Sequence, residues 1–210
     1  MIDVSQPTAA WRKALPRSAH LARTMAAAAL RYGFKTAPVR DNHTRKSGPR
    51  TGLEISVVLT GNAVVRRLNR VYRGKDKPTN VLSFPADAPP TRATARFLIN
   101  GRPAPTAPWL LGDVVIAYGV AAAEARAEGK TLAAHLAHLV LHGVLHLLGY
   151  DHEDDRDVVV MERLEREIMA RMGFDDPYAI PAPARKSRVP RRRALAATPR
   201  TSRAASKQRP

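Results

Sequence analysis

The pattern of the sequence predicts an α/β fold: a single compact domain with a small mixed sheet and surrounding helices. Three observations lead there. Short apolar runs that read as strands alternate with longer stretches of helical periodicity. The chain has 210 residues, 44% of them apolar, enough for one domain with a substantial core. Beyond Ile180 it changes character, with ten Lys or Arg and neither an acid nor an aromatic. That segment has too little apolar surface to offset chain entropy. The expected organisation is a folded domain over 1–180 and a disordered basic C-terminal tail over 181–210.

Taken in order, "IDVS" (Ile2–Ser5) reads as a first strand, followed by a helical stretch from about Ala10 to Tyr32. "RDNHTRKSGPRTG" is loop by its Gly, Pro, Asn and Asp content. "LEISVVLT" reads as a buried strand and "NAVVRRLNRVYR" as a helix begun near Asn62. "NVLSFP" is a further strand, stopped by Pro85. A Pro-rich insertion spans about 86–108, where Asn100-Gly101 suggests a tight turn. "GDVVIAYG" is the next strand and "VAAAEARAEG" a helix ending near Gly129. Thr131 can cap a helix from Leu132 to about Leu148, with Gly149 placed as the left-handed residue that ends it. "DRDVVVMERLEREIMARMG" is a last amphipathic helix, stopped at Gly173.

Charge narrows the range of partners. Lys and Arg number 35 against 18 Asp and Glu, a formal +17. Without the tail, 25 basic residues face 18 acids, so the tail carries more than half of the excess. Such a balance argues for a polyanionic partner, nucleic acid or an anionic membrane surface, although basic residues also serve solubility alone. There is no cysteine. This excludes disulfides, thiolate metal ligands and a cysteine nucleophile, and it fits a reducing compartment. "MIDVSQP" lacks the cationic segment and apolar core of a signal peptide, and "MAAAAL" (Met25–Leu30) is too short to span a bilayer. A cytoplasmic location, with no membrane role, is expected.

Candidate chemistry concentrates in "HGVLHLLGYDH", His142 to His152. His142 and His146 lie four apart, one turn of helix, where two imidazoles reach one metal at about 2 Å. Gly149 permits the reversal that brings back His152. The frame H-x-x-x-H-x-x-G-x-x-H is the metal-ligand frame of metzincin proteases. Those enzymes carry a Glu base directly after the first His, and Gly143 stands there instead. Any hydrolysis must take its proton acceptor from elsewhere or rely on the metal to hold hydroxide near neutral pH. His138, one turn before His142, can hydrogen-bond a ligand, a water or a phosphate, or simply make a half-buried polar contact.

"HGVLHLLGYDH", "LNRVYRGKDKPTNVLSFP" (Leu68–Pro85) and "LGDVVIA" (Leu111–Ala117) together closely resemble the YbeY family of bacterial rRNA maturation factors. The resemblance covers roughly residues 50 to 174. It implies a compact, metalloprotease-like α/β fold and a metal-dependent endoribonuclease specific for single strands. It further implies action on the small ribosomal subunit, in 16S rRNA 3′-end maturation and ribosome quality control, with ribosome-assembly proteins as possible partners. The metal ligands it implies are His142, His146 and His152, and its cleft arginine falls on Arg73. One Zn²⁺ per chain is the expected cofactor, although imidazoles also suit other transition metals. The Pro-rich insertion and the basic tail depart from the family pattern.

Arg73 also fits on chemical grounds, since a guanidinium can neutralise charge growing on a phosphate; its alternative is a helix-terminal Arg serving the macrodipole. Arg66, Arg67, Arg70, Lys75 and Lys77 are candidate phosphate contacts or plain surface charges. Asn80 and Ser83 flank a strand that can line the cleft, and Asp151 can orient a ligand or cap the turn. Two rival readings remain: a non-catalytic ribosome-assembly factor with a structural metal, and a metallopeptidase, against which Gly143 counts.

Overall fold

Four apolar runs pair into one mixed sheet in the computed structural model, which describes residues 1–36, 50–86, 107–150 and 155–179. Strands β1 (Ile2–Ser5), β2 (Arg50–Thr60), β3 (Val81–Pro85) and β4 (Ala107–Ala117) lie in the order β1-β2-β4-β3. β1 runs parallel to β2 and β2 parallel to β4, while β3 runs antiparallel to β4 along the edge. The basic tail, nearly all of the Pro-rich insertion with its Asn100-Gly101 turn, and most of the loop expected before β2 lie outside the described residues. Arg50 to Gly52, expected as the end of that loop, instead open β2.

Six helices surround the sheet among the described residues: α1 (Ala9–Ala14), α2 (Ser18–Thr36), α3 (Asn62–Arg73), α4 (Tyr118–Ala127), α5 (Leu132–Leu147) and α6 (Asp155–Arg171). None is long and apolar enough to cross a membrane. The stretch expected as one helix from Ala10 to Tyr32 is two. The break falls at Leu15-Pro16, where the ring of Pro16 pushes the preceding residue out of the helical region. Leu15 accordingly sits at φ −143° and ψ 87°.

Period-two alternation decides which face each helix covers. Ile55, Val57 and Leu59 of β2 and Val114 and Ile116 of β4 join the main core with α2 and α5. Val58, Val115 and Ala117 belong to a smaller cluster with Val65 and Leu68 of α3 and Leu82 and Phe84 of β3. Helix α5 is the centre of the main core, contributing Leu136, Val140, Leu141, Val144, Leu145 and Leu147, all essentially inaccessible to solvent. At about 1.5–3 kcal/mol for each such side chain, burial outweighs the modest helix propensities of its Val and His residues. Helix α2 approaches α5 closely at Gly33, where a Cβ would lie 2.7 Å from Leu148 Cδ1.

Candidate functional site

Local sequence fixes both ends of α5. Thr131 Oγ1 accepts from Ala134 N at 3.1 Å, capping the first turn. At the other end Gly149 N donates to His146 O at 3.0 Å and Tyr150 N to Leu145 O at 3.1 Å. This paired closure requires a left-handed residue, and Gly149 supplies it at φ 87°. Tyr150, buried, then donates its hydroxyl to Gly33 O at 2.7 Å. The chain therefore leaves the helix in a fixed direction immediately before Asp151 and His152, both of which lie outside the described residues.

His138, His142 and His146 follow at successive four-residue steps along α5. His142 Nε2 and His146 Nε2 stand 3.1 Å apart. Two nitrogens on a tetrahedral zinc, each at about 2.0–2.1 Å, are separated by about 3.3 Å, so the pair already has ligand spacing. The far side of the ring is engaged as well: His142 Nδ1 donates to Glu165 Oε1 at 2.9 Å. That bond places the ring proton on Nδ1 and leaves the Nε2 lone pair directed at the His146 side, the arrangement that metal-binding histidines commonly use.

Glu165 is completely buried. Its second oxygen accepts from the Tyr178 hydroxyl and lies 3.5 Å from His138 Nε2. Burial raises its pKa, but the imidazoles of His138 and His142 facing its two oxygens outweigh this and hold it at about 2. Tyr178 is pushed well above its ordinary range, first by burial and then by the Glu165 carboxylate, so it remains a donor. His138, His142 and Glu165 also bring one ligand atom each within 4.8 Å of one another, a group that can hold a metal ion. The half-buried polar contact considered for His138 is present here, against Glu165 and the edge of Tyr178.

A cleft of about 680 Å³ runs between this helix end and the β3 edge of the sheet, lined by His142 and His146 on one side and by Arg73, Asn80 and Ser83 on the other. Arg73 is the last residue of α3, which Gly74 terminates in the left-handed conformation at φ 67°. No carboxylate pairs with Arg73 among the described residues. Arg66, by contrast, is held by Asp76 in a two-pronged contact at 2.9 and 2.8 Å, so of the nearby basic residues it is already occupied. Asn80 accepts from Val81 N at 2.7 Å and donates to Glu124 at 3.1 Å, and the same Glu124 oxygen meets buried His135 at 2.9 Å. Ser83 Oγ donates to Gly143 O at 3.0 Å, tying the edge strand to α5.

Gly143 has a steric reason. A Cβ there would lie 2.5 Å from Val114 Cγ1 and 3.2 Å from Ser83 Oγ. The position that carries the base in metzincins is pressed against the sheet, and a Glu side chain has no room in it.

Glu165 and Tyr178 are absent from the sequence reading, because only tertiary packing brings α6 and the residues after it to the histidines. One signal was available. Glu165 falls on the apolar stripe formed by Met161, Leu164 and Ile168 of α6, and an acid on a buried stripe needs a partner.

The family model described as endoribonuclease YbeY matches residues 27–173. An endoribonuclease YbeY of Paramagnetospirillum magneticum is 45% identical over 181 residues, covering 84% of this chain and 94% of its own. One of Azorhizobium caulinodans is 45% identical over 181 residues, covering 86% and 98%. One of Stenotrophomonas maltophilia reaches 57% over 112 residues, covering 53% and 63%.

Proposed function

Because the chain belongs to the YbeY endoribonuclease family, we propose that it cuts single-stranded RNA in the cleft between α5 and β3, with His142, His146 and His152 holding one Zn²⁺ and Arg73 facing the scissile phosphate. The protein is an RNA endonuclease of rRNA processing. The finer reading is 16S rRNA 3′-end maturation on the small ribosomal subunit in the cytoplasm, alongside ribosome-assembly proteins. The observation that carries the site assignment is the His142–His146 pair, with Nε2 atoms 3.1 Å apart and Nδ1 of His142 tied back to a buried carboxylate.

The alternative donor group, His138, His142 and Glu165, suits a metal less well. Both oxygens of Glu165 already accept hydrogen bonds, one from His142 Nδ1 at a distance that leaves no space for an ion between them. The Nε2 side faces the cleft and a substrate. A divalent metal there would polarise a phosphoryl oxygen and acidify a water. The protein's own part is to fix the tautomer of His142 through Glu165, to hold the cleft wall through Ser83 and Asn80, and to meet growing phosphoryl charge with the Arg73 guanidinium.

The test is metal analysis of the purified protein together with cleavage of a defined single-stranded rRNA fragment. About one equivalent of zinc and discrete endonucleolytic products are expected. A protein that binds the RNA but never cuts it under any divalent metal would make this member a non-catalytic assembly factor. Hydrolysis of a peptide library in place of RNA would favour the peptidase.

A further inference from the structure

Beside Arg73, at the C-terminal end of α3, Tyr72 is 67% exposed. Exposure alone says little, since single apolar side chains are common on protein surfaces and Val71 beside it is 65% exposed too; what marks Tyr72 is its place in the cleft. It has one fixed neighbour, Phe84 of β3, with ring centroids 5.1 Å apart and planes at 63°. Phe84 is itself seated on the small cluster of Val65, Leu82, Val115 and Ala117. Both rings line the same cleft as Arg73, His142 and His146. The edge-to-face contact restrains Tyr72 while leaving most of its surface free.

We propose that Tyr72, propped by Phe84, is a stacking platform for an unpaired nucleobase of the RNA strand whose phosphate lies at Arg73. This rests on the nuclease reading and deepens it by naming a base subsite. The occupant follows from what adjoins the ring. A guanidinium one residue away on the same cleft calls for an anionic backbone, and an open aromatic face next to it calls for a flat apolar group on that backbone. An unpaired nucleotide supplies both at once. A base already stacked within a duplex cannot offer its face, so the platform would make the cleft prefer single strands. An apolar peptide side chain would satisfy the ring but not the cation.

Stacking and phosphate contacts differ in their response to salt, and that difference makes the test specific. Stacking releases no counterions, whereas each lost phosphate contact flattens the dependence of affinity on salt. The experiment is rapid-mixing binding of a single-stranded oligoribonucleotide carrying 2-aminopurine, with the parent protein, Tyr72→Ala and Tyr72→Phe. The parent should quench the 2-aminopurine emission. Tyr72→Ala should lose the quench and bind roughly ten- to a hundredfold more weakly, with an unchanged salt slope and unchanged metal content. Tyr72→Phe keeps the ring and should behave as the parent. Affinity for the corresponding duplex should be the same in all three, so the preference for single strands falls only in Tyr72→Ala. Tyr72→Ala binding as tightly as the parent, with the quench intact, would overturn the platform and leave the nuclease reading standing. A parent protein that neither binds nor cuts single-stranded RNA would overturn both, and the parent alone reveals that outcome.

Discussion

Arg73 ends its helix with no acid paired to it among the described residues, and it lines the same cleft as the histidine pair. A group placed to meet charge that grows during reaction should affect turnover more than ground-state binding. Arg73→Ala is therefore expected to lose on the order of a hundredfold in kcat, with metal content retained. Arg73→Lys keeps the charge but not the planar fork, so only partial rescue is expected. Single-turnover cleavage by metal-replete proteins measures this, and cleavage at the parental rate by Arg73→Ala would remove the role. His146→Ala leaves too few imidazoles for tight binding in an open site, and the variant should copurify with far less metal; unchanged stoichiometry would take His146 out of the site. Glu165 makes a different kind of prediction. Held at about 2 against an ordinary 4.5, its carboxylate adds stability above pH 4.5, and that contribution disappears as the pH falls toward 2. An acid titration followed by circular dichroism should show the loss in the parent and not in Glu165→Gln. Parallel curves would mean that another group controls acid unfolding.

At the scale of the element, α5 is held by its exit as much as by its apolar faces. Replacing Tyr150 by Phe removes the hydroxyl that satisfies the buried Gly33 carbonyl, at a cost of about 1–3 kcal/mol. Tm should drop by several degrees. Metal affinity should fall as well, although no ligand is touched, because the turn that directs the chain away from His146 loses its anchor. Equal affinity in a destabilised Tyr150→Phe would show that the turn holds itself. This same helix was plain in the sequence, since Thr131, the four-residue histidine step and Gly149 are all local signals. The break between α1 and α2 was carried by one residue, Pro16, set within a strongly helical composition that masked it. Arg50 to Gly52 look like loop by composition and are drawn into the strand because β4 lies alongside, pairing Arg50 with Ala107 and Leu53 with Trp109 across an irregularity at Thr51 and Gly52. The support for His142 could not be read locally: Glu165 lies 23 residues away, on another helix.

For the whole molecule, the division of charge makes the clearest prediction. Ten cations lie beyond Ile180, and on single strands each phosphate neutralised contributes about −0.7 to the slope of log affinity against log salt. Truncation after Ile180 should weaken RNA binding and flatten that slope by up to roughly seven units. Metal content and cleavage at saturating RNA should be unaffected, because every described residue of the site lies before the cut. An identical affinity–salt curve after truncation would exclude the tail as an RNA-binding arm.

The contact at Gly143 also limits the routes by which such a protein can change its trade. A Glu there, the one residue that the histidine frame lacks for peptide hydrolysis, arrives against Val114 and Ser83 and overpacks the junction at about 1–3 kcal/mol. Trimming Val114 first, a side chain with no exposed surface, opens a cavity at a cost of about 2 kcal/mol. Either order of substitution begins with a less stable intermediate that has gained no new activity. In a chain with this packing the histidine frame and the Glu it lacks are therefore separated by a valley in mutational space, since each single step toward the pair of substitutions costs stability.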